Sequence, residues 1–207
     1  MNAPENFIGK RVERREDARF LTGRGQYTDD ITLPGQSHGA FLRSPYAHAR
    51  IKKLDTSAAA QAPGVLGIFT GEHFKAVGGL PCGWLINSLD GTPMKEPKHP
   101  VLADGKVRYV GDCVALVVAD TLEQAKAAVQ LIEVDYDELP AVVDTARAKG
   151  ASQPGQAVHD EAPDNVCYHW GIGDKDGTDA AFKNAAHVTT LSFRNNRLVP
   201  NAMEPRA

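Results

Sequence analysis

Between residues 106 and 144 the apolar positions change rhythm three times. Cys113 to Ala119 reads CVALVVA, an unbroken, valine-rich apolar run of the kind that forms a strand buried on both faces. Next, Asp120 is placed to cap free backbone amides, and Glu123 stands three residues on, where a capping box wants its acid. Leu122, Ala125, Val129 and Ile132 follow at spacings of 3, 4 and 3 residues, one stripe of a short helix. From Ile132 the period falls to two. Ile132, Val134 and Tyr136 alternate with Glu133, Asp135 and Asp137, which predicts a strand with one wet face, ended by Leu139 and Pro140. The unit is strand, helix, strand, with the helix expected to pack across both strands.

The same order occurs earlier. Residues 39–43 and 49–54 read as short strands around Ser44 and Pro45. Asp55, Thr56 and Ser57 start a short alanine-rich helix that Pro63 and Gly64 stop, and Val65 to Thr70 is the next strand. Two such units predict an α+β fold, a mixed sheet with short helices on one side. The pattern breaks in residues 78–100, which open at Gly78, close at Pro100 and carry Gly79, Pro81, Gly83, Gly91, Pro93 and Pro97. A long insertion without regular structure inside a compact domain is often functional. Trp84 either tucks back on the core with Leu85 or stands out as part of a channel mouth or docking surface. After Asp144 the stretch TARAKGASQPGQAVHDEAP is small, polar and dotted with glycine and proline, a linker by composition. Beyond it, residues 164–170 read as a short strand, 171–177 as a turn, 178–185 as a helix and 187–196 as a longer strand.

Composition narrows the class. The chain has 207 residues, with 42% hydrophobic and 24% charged side chains, an ordinary globular balance. A net charge of −3 recommends no polyanionic partner such as nucleic acid. No apolar run reaches the roughly 20 residues of a membrane span, and residues 1–17 lack the apolar centre of a secretory signal. Cys82, Cys113 and Cys167 are far apart, and three thiols cannot all pair. A cytoplasmic, reduced chain is the expectation. Residues 1–6 are polar and expected to be loose. Residues 10–19, KRVERREDAR, read as a solvated segment, or as an arm lying on another part of the protein or on a partner.

Candidate chemistry is sparse. Gly23 and Gly25 lack the pattern of a phosphate loop and fit a tight turn instead, and Leu33, Pro34 and Gly35 form another turn. Cys167 and His169, with His159, Asp160 and Glu161 upstream, are the nearest approach to metal-ligand spacing, but the two short ligand pairs of a zinc site are missing. Ser44 and His48 are not framed as a nucleophile and its base. Cys113, within its apolar run, is expected to be an inert buried thiol. Glu133, Asp135, Asp137 and Glu138 read as a solvated face or turn rather than paired catalytic carboxylates. No catalytic, cofactor-binding or metal-binding residue is assigned.

Four collinear stretches carry a resemblance. They are GKRVERREDARFLTGRGQYTDDITL from Gly9, FLRSPYAHARIKKLDTSAAAQAPGVLGIF from Phe41, YVGDCVALVVADTLEQAKAAVQLIEVDYDELPAVVD from Tyr109, and the stretch from Trp170 ending in RNNRLVPNAMEPR. Together they resemble the α/β hammerhead portion of the molybdenum hydroxylases, the family of xanthine dehydrogenase, aldehyde oxidase and the large subunit of aerobic carbon monoxide dehydrogenase. GIGDKDGTDAAF and the N-terminal stretch are most similar to the carbon monoxide dehydrogenase-like large subunits. The resemblance implies an N-terminal arm at residues 1–20, a hammerhead domain at 21–145, a linker at 146–163 and, at 164–207, the beginning of a molybdenum-cofactor-binding domain. It implies a scaffold portion of a molybdopterin-dependent oxidoreductase, inactive alone. The molybdenum–molybdopterin cofactor would be bound by glycine-rich loops beyond Ala207, and the iron–sulfur clusters and FAD would sit on partner subunits or domains. The remaining partners would be the rest of the large subunit and a small-molecule substrate. The alternative is a stand-alone hammerhead module that binds or assembles without catalysis.

Overall fold

The computed structural model describes residues 8–150, 156–196 and 198–202. The expected loose start at residues 1–6, part of the linker and the stretch 203–207, where the approach to a cofactor region is expected, lie outside the described residues. The chain divides into two compact units. The smaller takes residues 1–36 and 190–207. It holds α1 (Asp17–Leu21) and a 3-10 turn at Thr28–Asp30. Phe20 stacks on Tyr27 at 5.8 Å and lies under the Arg19 guanidinium at 5.1 Å. Gly25 is needed there, because a Cβ would stand 2.5 Å from the Phe20 ring.

The larger unit, residues 37–189, contains the other elements. In chain order they are β1 (His38–Arg43), β2 (Ala49–Asp55), α2 (Ser57–Ala60), β3 (Val65–Thr70), β4 (Gly79–Leu80), β5 (His99–Pro100), β6 (Lys106–Val107), β7 (Cys113–Ala119), α3 (Leu122–Val129), β8 (Glu133–Glu138) and α4 (Lys175–Asn184). The apolar run CVALVVA is the central strand β7, flanked by β1 and β3. A second sheet has the order β6-β2-β8, and β4 pairs with β5 alone. Every one of these ladders is antiparallel.

The expected single sheet is therefore divided. Both edges of β7 are already occupied by β1 and β3, so the chain leaving α3 finds no free edge there. It enters the second sheet, where β8 pairs with β2. The helix consequently links the two sheets along the chain, but it packs on β7 and its neighbour β1 in the first sheet rather than across β7 and β8. The solvated reading of the β8 acids holds: Asp137 lies opposite Arg50 and within 3.6 Å of its guanidinium, and Asp135 lies opposite Lys53.

The helix start differs from expectation by one residue. Thr121, not Asp120, is the N-cap. Its hydroxyl accepts from the Gln124 amide at 3.2 Å, and the Gln124 side chain accepts from the Thr121 amide at 3.0 Å, so Gln124 takes the place expected of Glu123. Asp120 instead donates its amide to the Gly64 carbonyl. The inner stripe of α3 is Ala125, Ala128 and Val129, whereas Leu122 stays 36% exposed. Ala128 and Val129 meet Ala59, Ala115, Val117 and Ile132 in one core, and Ala49, Ala103, Val107 and Val114 form a second. Leu42 and Leu54 pack against both.

Towards the C-terminus three readings change. The helix α4 begins three residues before the expected 178, because the Asp174 side chain caps it at the Gly177 amide. Residues 164–170 form no strand, nor do the described residues of 187–196. The alternation of the latter stretch is real, but Leu191 and Phe193 are 77% and 78% exposed, and the stretch pairs with no strand among the described residues. Period two makes a strand only where a neighbour completes its hydrogen bonds.

Candidate functional site

Residues 78–100 are not structureless. The β4–β5 ladder closes their base, and above it Asn87 bridges Pro93. The Met94 amide donates to Ile86 and the Ser88 amide to Thr92, making a small hairpin. Its tip turns at Gly91, where φ is +84°, and at Asp90, whose carboxylate accepts from the Thr92 hydroxyl and amide. These bonds, hydroxyl first, hold the Asp90 carboxyl below the ordinary carboxylate range.

The hairpin is fastened to residues far along the chain. The Leu89 amide donates to the His169 carbonyl, the Lys95 amide donates to the Cys167 carbonyl, and the Ser88 hydroxyl accepts from the His169 amide. The Lys95 ammonium meets Asp164 at 3.1 Å and, with the Val166 amide, lowers that carboxyl's pKa. The stretch expected as a strand at 164–170 thus turns at Asn165, where φ is +57°, and then runs as a strap along the hairpin. Between the two lies a cavity of about 420 Å³ lined by Ser88, Asp90, Thr92, Lys95, Asp164, Cys167 and His169. The reading in which Trp84 and Leu85 tuck back on the core is overturned: they are 79% and 62% exposed. With Leu80 and Val77, also exposed, they make an apolar outer edge to the loop.

A second hollow, about 270 Å³, is lined by Pro97, His99, Arg108, Tyr109, Asp112 and His159. Asp112 is buried and its carboxylate accepts from the Arg108 amide at 3.0 Å. The Arg108 guanidinium donates to the carbonyls of Val158 and Lys106. Burial and then Asp112 push the Tyr109 phenol up, while burial and then Arg108 push the His159 imidazole down. The part of the expected linker from residue 156 to 163 is therefore tied to the larger unit through Arg108 and through Lys106, which meets Asp160 at 3.1 Å.

The remaining candidates are not brought together. The Ser44 hydroxyl donates to the Tyr46 carbonyl, and His48 faces the Pro140 carbonyl through Nδ1 at 3.0 Å while its Nε2 is buried without a partner. His159, Asp160 and Glu161 do not join Cys167 and His169, and among the described residues no three His, Cys, Asp or Glu side chains are close enough to hold a metal ion. Cys113 is half-buried rather than enclosed, with the Arg43 guanidinium 3.3 Å from its sulfur. Both hollows escaped the sequence reading because each joins residues about 50 to 80 positions apart; only the glycine and proline density of residues 78–100 signalled the first.

Comparison with known proteins gives the setting. Residues 22–140 match the aldehyde oxidase and xanthine dehydrogenase a/b hammerhead domain. The large subunit of nicotine 6-hydroxylase from Paenarthrobacter nicotinovorans is 39% identical over 97% of this chain, and the large chain of carbon monoxide dehydrogenase from Afipia carboxidovorans is 37% identical over 95%. The structure of reconstituted carbon monoxide dehydrogenase from Oligotropha carboxidovorans superposes on 86% of the chain with a TM-score of 0.67, at 38% identity, over 22% of its own length. The chain spans 24% of the length of the two curated relatives. Four collinear sequence stretches, a matched hammerhead domain and a shared fold agree, and the chain belongs to the molybdenum hydroxylase family of aldehyde oxidase and xanthine dehydrogenase.

Proposed function

We propose that this chain is the N-terminal part of the large subunit of a molybdopterin-dependent oxidoreductase, and that it serves as scaffold without the active site. The observation that carries this reading is the asymmetry of coverage: 97% of this chain aligns with only 24% of a relative's large subunit. In this reading residues 1–20 are an arm, 21–145 the hammerhead domain, 146–163 a linker and 164–207 the start of the cofactor-binding domain. The iron–sulfur clusters and FAD belong to partner subunits or domains, and the whole works in the cytoplasm on a small-molecule substrate. A nicotine hydroxylase and a carbon monoxide dehydrogenase match almost equally well, so substrate class resides outside these residues.

In neither hollow do the described residues suit the molybdenum cofactor. In the first hollow the Lys95 cation is held by Asp164, and Asp90 adds a carboxylate to the lining. In the second, Arg108 is spent on backbone carbonyls beside the buried Asp112. An anionic phosphate and a metal centre find no matched donors in either place. No catalytic step is assigned to this chain.

The first test is to read the coding frame beyond Ala207. Continuation into glycine-rich loops is expected; an immediate stop codon would turn the reading towards a stand-alone module. The second uses the purified 207-residue chain. It is expected to hold no stoichiometric molybdenum and to show no aldehyde-dependent dye reduction, and either signal would overturn the scaffold role.

A further inference from the structure

The outer face of the β1-β7-β3 sheet, opposite α3, carries a row of apolar side chains in register. Phe41 pairs with Leu116, and Leu116 with Phe69. Directly paired residues of antiparallel strands point to the same side. Ala115 and Val117 face the core with α3, so Phe41, Leu116 and Phe69 face away from it. Phe41 is 46% and Phe69 38% exposed, and Phe74 extends the patch with its ring 6.3 Å from Phe69.

The next row is built differently. Val118 pairs with Gly39 on one side and Gly67 on the other. Leu116 leans towards Gly39, where a Cβ would lie 3.2 Å from its methyl, and the Phe69 ring leans over Gly67. Two glycines beside a valine leave a shallow floor, which is where another backbone can approach a sheet closely. No carboxylate occupies either row. Arg43 lies over the Phe41 ring at 5.6 Å and donates to the Gly111 carbonyl, and the His73 ring meets Phe69 edge-on at 5.8 Å. Aromatic and aliphatic side chains with no carboxylate among them, and one cation stacked on a ring, suit an interface better than a wet surface.

We propose that this face is the seat of the remaining part of the same large subunit, which packs an apolar surface onto Phe41, Leu116 and Phe69. The occupant follows from length: relatives that align with nearly all of this chain are about four times longer, so some three quarters of such a protein lies outside it. An apolar, charge-poor patch suits an intrachain contact that never separates. The proposal rests on the large-subunit reading above.

The test compares the 207-residue chain with the full-length large subunit, each carrying Phe41→Cys. Both are labelled with a maleimide, and the label is read by mass spectrometry on the peptide that spans position 41. Labelling is expected to be fast in the short chain and at least about tenfold slower in the long one without any partner subunit, because the site must open first. Equal rates in both would overturn the proposal. So would protection that arises only on adding flavin or iron–sulfur subunits, or protection in the short chain that tracks its dimerisation by light scattering. Molybdenum is assayed in the same full-length sample. Protection without molybdenum would sink the enzyme reading and leave the docking face standing, whereas molybdenum without protection would do the reverse.

Discussion

Thr121 carries the start of α3 through one hydroxyl and one reciprocal bond to Gln124, and Asp120 beside it contributes only its amide. Thr121→Ala in the 207-residue chain is expected to cost about 1 kcal/mol, the usual worth of an N-cap, while Asp120→Ala changes stability far less. Urea unfolding of both variants checks the assignment, and a larger loss at position 120 would reverse it. His159 permits a second prediction at this scale. Burial first, and the Arg108 charge second, hold its imidazole below the ordinary value, against the smaller opposing pull of Glu161 and Asp160 and with Lys106 acting in the same direction as Arg108. The unfolded chain protonates this group near pH 6.5. As pH falls through that value the unfolded state gains a proton that the folded state resists, so stability present above about pH 6.5 is lost on acidification and levels off below the folded pKa. His159→Gln is expected to flatten the fall in urea midpoint between about pH 7.5 and about pH 5.5 relative to the parent chain. Parallel pH curves for parent and variant would show that His159 is not the responsible group.

At the scale of elements, what was legible in the sequence was local. The valine run, the 3-4-3 stripe and the period-two stretch gave β7, α3 and β8 because each pattern reports its own residues' surroundings. Partner choice is not local, and nothing within residues 133–138 says that they pair with β2 instead of β3. Likewise the alternation of residues 187–196 describes a segment suited to pairing, not the partner that would complete it. The cap moved by one residue because Asp120 and Thr121 can both accept an amide, and the Asp120 link to Gly64 settles which does. The hairpin within residues 78–100 shows the same divide. Its glycines and prolines marked the departure from the sheet, but its strap at 164–169 could not be foreseen. A prediction belongs to its outer edge. With Trp170→Phe in place so that Trp84 alone reports, the emission of the short chain is expected to be that of a solvated indole, since Trp84 is 79% exposed. It should shift to the blue on assembly into the larger enzyme if the loop is an interface. An unchanged spectrum in the assembled complex would remove that role.

The molecule as a whole is held by small side chains. Among the described residues the largest fully buried ones are Val107, Val114 and Val117, and the two cores are otherwise mostly alanine, with Leu42, Leu54 and Tyr136 only partly covered. Many of its larger apolar groups, among them Phe41, Leu66, Trp84, Leu191 and Phe193, remain exposed. Burial of apolar area is the main stabilising term in folding, so this chain by itself should sit at the low end of the usual range, about 5 kcal/mol or less. A small loss in the centre of β7 then becomes a large fraction of the total. Val117→Ala removes two methyl-sized groups from the core between β7 and α3 and is expected to cost about 2 kcal/mol. Cooperative urea unfolding of the 207-residue chain should register this as a fall in midpoint with little change in slope. The same substitution within a longer subunit is expected to lower the melting temperature less, because surface left open here is then covered and the opening of β7 is coupled to a larger cooperative unit. A loss below about 0.5 kcal/mol in the short chain would show that its core is redundant. An equal loss of melting temperature in both settings would show that the hammerhead unfolds independently of whatever packs upon it.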